Sequence, residues 1–166
     1  MLKEWTERPQ DVSQLLNPSF CGLLLYRAVV GFKRETQHGM PLETLFLVPS
    51  FVLHAGTRSR LPASIVTTLP TWLQIERDVI VKFAERTRNL VPYTREALLF
   101  LMQHDLLIVD SEGRLDIGQG RVRGVTNYQK VSEEIADTYK RSEFVGRWLA
   151  HSGGSTTIYA LLGIRP

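Results

Sequence analysis

The side chains best suited to bind a metal are His38, His54, His104, His151 and Cys21, and their spacing does not suit one. No two histidines stand four residues apart or form an HxH pair, and Cys21 has no cysteine partner. A zinc site needs four such ligands at recognisable spacing. Cys21 sits between Phe20 and Gly22-Leu23, without the basic neighbours that would make its thiol reactive, and reads as a small buried hydrophobe. With a single cysteine no intramolecular disulfide can form, which fits a reducing cytosol.

Other catalytic patterns are equally thin. Gly118-Gln119-Gly120 and Gly153-Gly154-Ser155 lack the lysine and the spacing of a Walker A loop and read as a linker and a helix stop. There is no Gly-x-Ser-x-Gly elbow. Glu133-Glu134 are adjacent, so they point to different sides of a helix and read as solvated surface. No cofactor is expected. The basic residues Arg114, Arg121 and Arg123 remain. They can touch phosphates without reading bases, meet an acidic protein surface, or simply be solvated.

The chain that must position these residues is 166 long, 43% apolar and 22% charged, with a net charge of +3. That is a globular composition, only mildly basic. The length suits one domain, with parts at 1–69, 70–118 and 128–166. The apolar runs Leu23–Phe32 and Leu45–Ala55 are interrupted by Arg27 and Pro49 and fall short of the roughly 20 residues that cross a bilayer. No membrane span or signal peptide is read, and a cytoplasmic location is expected.

Along the chain, Pro9–Leu16 reads as a short helix with Val12, Leu15 and Leu16 on one face. Asn17-Pro18 supplies an N-cap and a first-turn proline for a central helix, Pro18–Phe32. Arg27 interrupts its apolar surface, so it should pair with a carboxylate or snorkel. Leu42–Leu53 has helical spacing that Pro49 kinks or ends; a strand at Leu45–Val48 is the alternative. Ala55–Pro62 reads as a loop carrying Arg58 and Arg60, and Ser64–Thr68 is ambiguous. Pro70 starts a helical turn bearing Trp72 and Leu73, and Ile75 to Val91 reads as an amphipathic helix. Pro92 should break that helix and begin another, Tyr93–His104. Leu106–Val109 and Arg114–Ile117 make a hairpin with Gly113 in the turn. A basic, glycine-rich linker, Gly118–Asn127, leads to a long helix, Tyr128–His151, with Val131, Ile135, Tyr139, Val145, Trp148 and Leu149 inward. The last segment, 155–166, suits strand and helix equally.

Helix, break, helix and hairpin over Arg77–Ile117 is the order of a winged helix-turn-helix. The fold class expected is therefore mainly α with a small β-hairpin, a winged helix-turn-helix core, and flanking N- and C-terminal helices. The helix that should enter a DNA groove carries Ala97-Leu98-Leu99-Phe100-Leu101-Met102, apolar all round. Its polar residues Thr94, Arg95, Glu96, Gln103 and His104 cluster at the ends. Leu98, Leu99, Phe100 and Met102 read either as internal core or as an interface to a second chain, a homodimer included.

Several segments resemble the middle component of bacterial three-component ABC-ATPase systems. They are Trp5-Thr6-Glu7-Arg8-Pro9, Leu15-Leu16-Asn17-Pro18-Ser19-Phe20-Cys21-Gly22, Leu90-Val91-Pro92-Tyr93-Thr94-Arg95-Glu96-Ala97-Leu98, Gly146-Arg147-Trp148-Leu149 and Gly163-Ile164-Arg165-Pro166. The resemblance spreads over most of the chain. It implies a non-enzymatic adaptor between an ABC ATPase and an effector, in a system that looks like anti-phage or anti-plasmid defence. It implies no catalytic residue. By fold-level analogy, small winged-helix subunits of related ATPase complexes bind the ATPase or its linker partner, often as dimers. The other reading is a winged-helix DNA-binding transcriptional regulator, which would need polar side chains along the reading helix. An enzyme with an unrecognised site ranks last.

Overall fold

The computed structural model describes residues 7–9, 15–122 and 132–165. Helix α1, Pro18–Thr36, runs through the middle of the fold. Its start is set locally: the Asn17 side chain accepts the Ser19 N–H at 2.8 Å, and Pro18 occupies the first turn. It passes the expected end at Phe32 by one turn and stops at Gln37, which takes a left-handed φ of 63°. Arg27 meets Glu143 at 3.4 Å, so its place in an apolar helix is matched by a carboxylate.

Two residues, Met40–Pro41, form β1. The segment expected as one kinked helix is two: α2, Leu42–Leu45, and α3, Val48–Val52. Pro49 lies in the first turn of α3, where a missing N–H costs nothing, so it begins a helix rather than ending one. The Leu45–Val48 strand does not form. Ala55–Arg58 is a single helical turn, α4, rather than loop. Its Arg58 is buried, donating to the Val52 carbonyl at 2.7 Å and pairing with Glu134 at 3.0 Å. Residues 64–68 are turns and bends, not strand. The helical turn expected at Pro70 is α5, Leu69–Ile75, and it buries Trp72 and Leu73.

The main correction lies in the next stretch. A 3-10 turn, Arg77–Ile80, and a left-handed Lys82 (φ 62°) separate α5 from α6, so no single helix spans Ile75–Val91. Helix α6 then runs unbroken from Phe83 to Gln103 with Pro92 inside it. The expected break at Pro92, and the turn of the helix-turn-helix with it, is absent. Pro92 is exposed, so the bond it removes lies where water can replace it. Buried Phe83 and Thr87 before it, and Thr94, Ala97 and Leu101 after it, hold both halves to the core. We expect Pro92→Ala to stabilise the protein by about 1 kcal/mol or more, part of the ~3 kcal/mol a helix-interior proline costs. A lower melting temperature for that variant would mean that the chain needs a break there.

The hairpin forms as read: β2, Leu107–Val109, and β3, Arg114–Ile117, pair antiparallel with Leu107 opposite Ile117 and Val109 opposite Leu115. Gly113 has φ 77°, and one Asp110 carboxylate oxygen accepts the N–H groups of Glu112 and Arg114, both at 2.9 Å. Strand β1 pairs with the other edge of β3, Met40 opposite Leu115, giving the order β1-β3-β2. After β3 the chain is pinned back on the end of α6: the N–H groups of Gly118 and Gly120 reach the carbonyls of Leu106 and Asp105.

Helix α7, Glu133–Ala150, is capped by Ser132, whose side chain accepts the Ile135 N–H. It buries Tyr139, Val145, Trp148 and Leu149 and packs along α1, whose other flank meets α6. Helix α8, Ser155–Leu161, settles the segment that suited strand or helix. The expected positions of Val12, Tyr128, Asn127, Val131 and Pro166 lie outside the described residues. The protein is mainly helical with a small three-stranded antiparallel sheet. Trp148, Phe51, Phe83 and Trp72 sit at its centre.

Ion pairs lace α7 to α1. Glu35 accepts from Arg147 at 2.6 Å and from His151 at 2.9 Å. The hydrogen bond from His151, then that from Arg147, holds the Glu35 carboxyl below its ordinary pKa. The resulting stability is complete above the unfolded carboxylate value of about 4.3 and is lost as pH falls through the lower folded value. Between about pH 5 and pH 3, Glu35→Gln should therefore lose stability less steeply than the wild type. Urea midpoints across that range measure the difference; parallel curves would show that the carboxylate contributes nothing.

Candidate functional site

Helix α6 divides the four residues expected at an interface. Each residue advances about 100° around a helix. Leu98 therefore faces inward, 9% exposed beside Ala97 and Leu101, while Leu99 is 60% and Met102 39% exposed. Phe100 is half-buried, its ring 4.3 Å from that of His104. The run that looked apolar on every side thus has a core face and an open face. The helix wheel alone would have separated them once Phe83, Thr87 and Thr94 marked the inward side.

At the hairpin, Arg114 Nε lies 3.2 Å from Glu112. Asp110 and Glu112 share this tip, and Asp116 pairs with Lys33 at 2.6 Å, so acids offset the cations. Arg121 is exposed, and Arg123 lies outside the described residues. Ile108 and Val109 on β2 are open to solvent.

A larger feature was not visible in sequence. Helices α2, α6 and α8 and residues 163–165 enclose a continuous depression, with adjoining cavities of about 640 and 380 Å³ that share Glu43, Tyr159, Ile164 and Arg165. Its floor is Leu42, Phe46, Ala84, Val91, Tyr159 and Ile164. Its walls are tied together: the Tyr159 hydroxyl donates to the Glu43 carbonyl at 2.7 Å, and Thr44 meets Ser155 at 3.0 Å. Burial, then the Glu43 charge, raises the Tyr159 pKa, keeping that hydroxyl a donor. The charged residues lining it are Arg88, Arg95 and Arg165, with Glu43 the acid among them. Arg8, Arg60 and Arg147 each reach a carboxylate within 2.7 Å, whereas Arg88, Arg95 and Arg165 make no ion pair among the described residues. Arg88 and Arg95 lie on the same side of α6 as Leu99 and Met102, so the lining continues into the open apolar face.

No group of three or more His, Cys, Asp or Glu side chains among the described residues is placed to hold a metal. Burial, then the Glu96 charge, pushes the Cys21 thiol up to about 12, which leaves it un-ionised at neutral pH. No helix among the described residues is long and apolar enough to cross a membrane.

The class defined so far is a small helical protein with a three-stranded sheet and an arginine-lined apolar groove. Over residues 5–166 the chain matches the family described as ABC-three component (ABC-3C) system Middle Component 3, and it belongs to that family. As a component of a multi-component ABC system, it has partner components. Comparison with curated proteins and with solved structures returns no match.

Proposed function

We propose that this protein is a non-enzymatic adaptor that joins the ABC ATPase of its system to the effector component, in a bacterial defence against phage or plasmids. The observation that carries this is the open face of α6, where Leu99 and Met102 stand in solvent beside an apolar groove. In a family defined by its place in a multi-protein system, such a face supports contact with another chain. Co-expression of the chain with the other two components, followed by size-exclusion chromatography, is the test. Stoichiometric co-elution with both is the expected result, and elution alone would count against an adaptor.

The reading includes a winged-helix arrangement in one cytoplasmic domain. Its support is the order α1-β1-α2, then α6 and the β2–β3 hairpin, with sheet order β1-β3-β2. The hairpin is then the wing. A non-specific DNA contact would fall to Arg114, Arg121 and Arg123; the carboxylates of Asp110 and Glu112 beside Arg114 weaken it. A homodimer through Leu99 and Met102 would show as doubled mass in the same chromatography.

A further inference from the structure

We infer that the groove between α2, α6 and α8 is the docking site for an acidic segment of a partner protein, one apolar side chain seated in the groove and carboxylates on Arg88 and Arg95. This rests on the adaptor reading and says which surface does the docking and what it recognises. Arg88 and Arg95 are seven residues apart on α6, two turns, which sets their backbones about 10 Å apart along the axis. Val91, half-buried, lies between them on the groove floor. The matching ligand carries an apolar anchor between two carboxylates at about that spacing: roughly two turns of a helix or three residues of an extended strand.

The charge pattern argues for this occupant. Arginines held by internal carboxylates abound in this protein, so the unpaired cations lining the groove are not the general condition of its surface. Arg165 adds a third cation from the opposite wall, next to Ile164. A guanidinium at the edge of an apolar groove gains most from a carboxylate that is partly desolvated by the same contact. Phosphates of a duplex stay hydrated and offer nothing to cover Phe46 and Ile164, so the apolar floor favours protein over DNA.

The test uses the full chain and, as probes, the purified ATPase and effector components of its own system, with affinities measured by calorimetry at low and high salt. The Arg88→Glu/Arg95→Glu variant should bind one of those components at least about tenfold more weakly, the margin that 1.4 kcal/mol represents. Arg114→Glu/Arg121→Glu should change it less than about twofold if the wing is not involved. Both groove arginines are exposed, so the fold should survive, as thermal melts will show. Arg88→Gln/Arg95→Gln, which removes charge without reversing it, should give an intermediate loss and covers the case of an unstable double reversal. Unchanged affinity in both groove variants overturns the docking site while leaving the adaptor reading intact. Failure of the wild type to bind either component removes both. Loss of binding to a short random duplex, with component binding intact, assigns the groove to nucleic acid and also overturns the proposal.

Discussion

Gly146→Ala should destabilise this protein by about 3 kcal/mol or more, the upper end of what overpacking costs. Helix propensity alone gives the opposite sign, since alanine is favoured over glycine in a helix interior by about 1 kcal/mol. Packing decides. A Cβ at Gly146 would collide with the backbone carbonyl of Ala28 on α1, its carbon and Cα lying within 2.7 and 2.9 Å. Gly31 on α1 makes the reciprocal approach, a Cβ there meeting the Glu143 carbonyl and Arg147 Cγ at 3.2 Å. Both contacts lie on one seam, along which the two helices run parallel, and Ser142 confirms the closeness by donating to the Leu24 carbonyl at 2.6 Å. A backbone cannot rotate away as a side chain can, so the methyl must push the two helices apart. That strains the seam on which Arg27 and Glu143 also meet. Gly31→Ala should behave alike. Gly154→Ala, where an added Cβ meets nothing within 4 Å, should stay within about 1 kcal/mol of the wild type. Urea unfolding measures all three, and a Gly146→Ala protein as stable as its parent would show that the helices do not pack this closely.

That seam also marks where the sequence stopped being informative. Gly146 reads locally as an ordinary helix residue, because the atom that forbids a side chain belongs to residue 28. What local chemistry controls was legible: Asn17-Pro18 starts α1, and Gly113 turns the hairpin. The inward residues of α7 followed from their 3.6-residue period. Pro92 misled because its local preference to break a helix lost to burial on both sides. Strand β1 was invisible because two residues carry no period; only its pairing with β3 defines it. The α2–α6–α8 groove was hidden for the same reason as the seam. Leu42, Arg88 and Ile164 come from three distant segments, and nothing in each one's neighbours says that they meet.

Trp148→Ala should cost about 3–5 kcal/mol, comparable to a small domain's whole margin of stability. Trp148 is wholly buried on α7, with Trp72 edge-on at 5.2 Å and Phe51 at 5.9 Å. Its indole N–H donates to the Thr67 carbonyl at 2.6 Å, fixing the chain that enters α5. Alanine would leave a cavity beside the rings of Trp72, Phe51 and Phe144, and an unpaired carbonyl. Trp148→Phe separates the two losses. It retains most of the ring contact but drops the donor, and losing a hydrogen bond to the half-buried Thr67 costs about 0.5–1.5 kcal/mol. The expected order of stability is therefore wild type, phenylalanine, alanine. Hydrogen exchange should locate the difference: in the phenylalanine variant, protection should fall first in residues 64–72 while α1 and α7 keep theirs. Uniform loss across the molecule would mean that the indole acts through core volume alone. The groove is built on α6 and α8 and touches neither residue 67 nor residue 148, so Trp148→Phe should bind partners with wild-type affinity wherever it is folded. A variant that is folded but binding-deficient would show that the core and the groove are coupled.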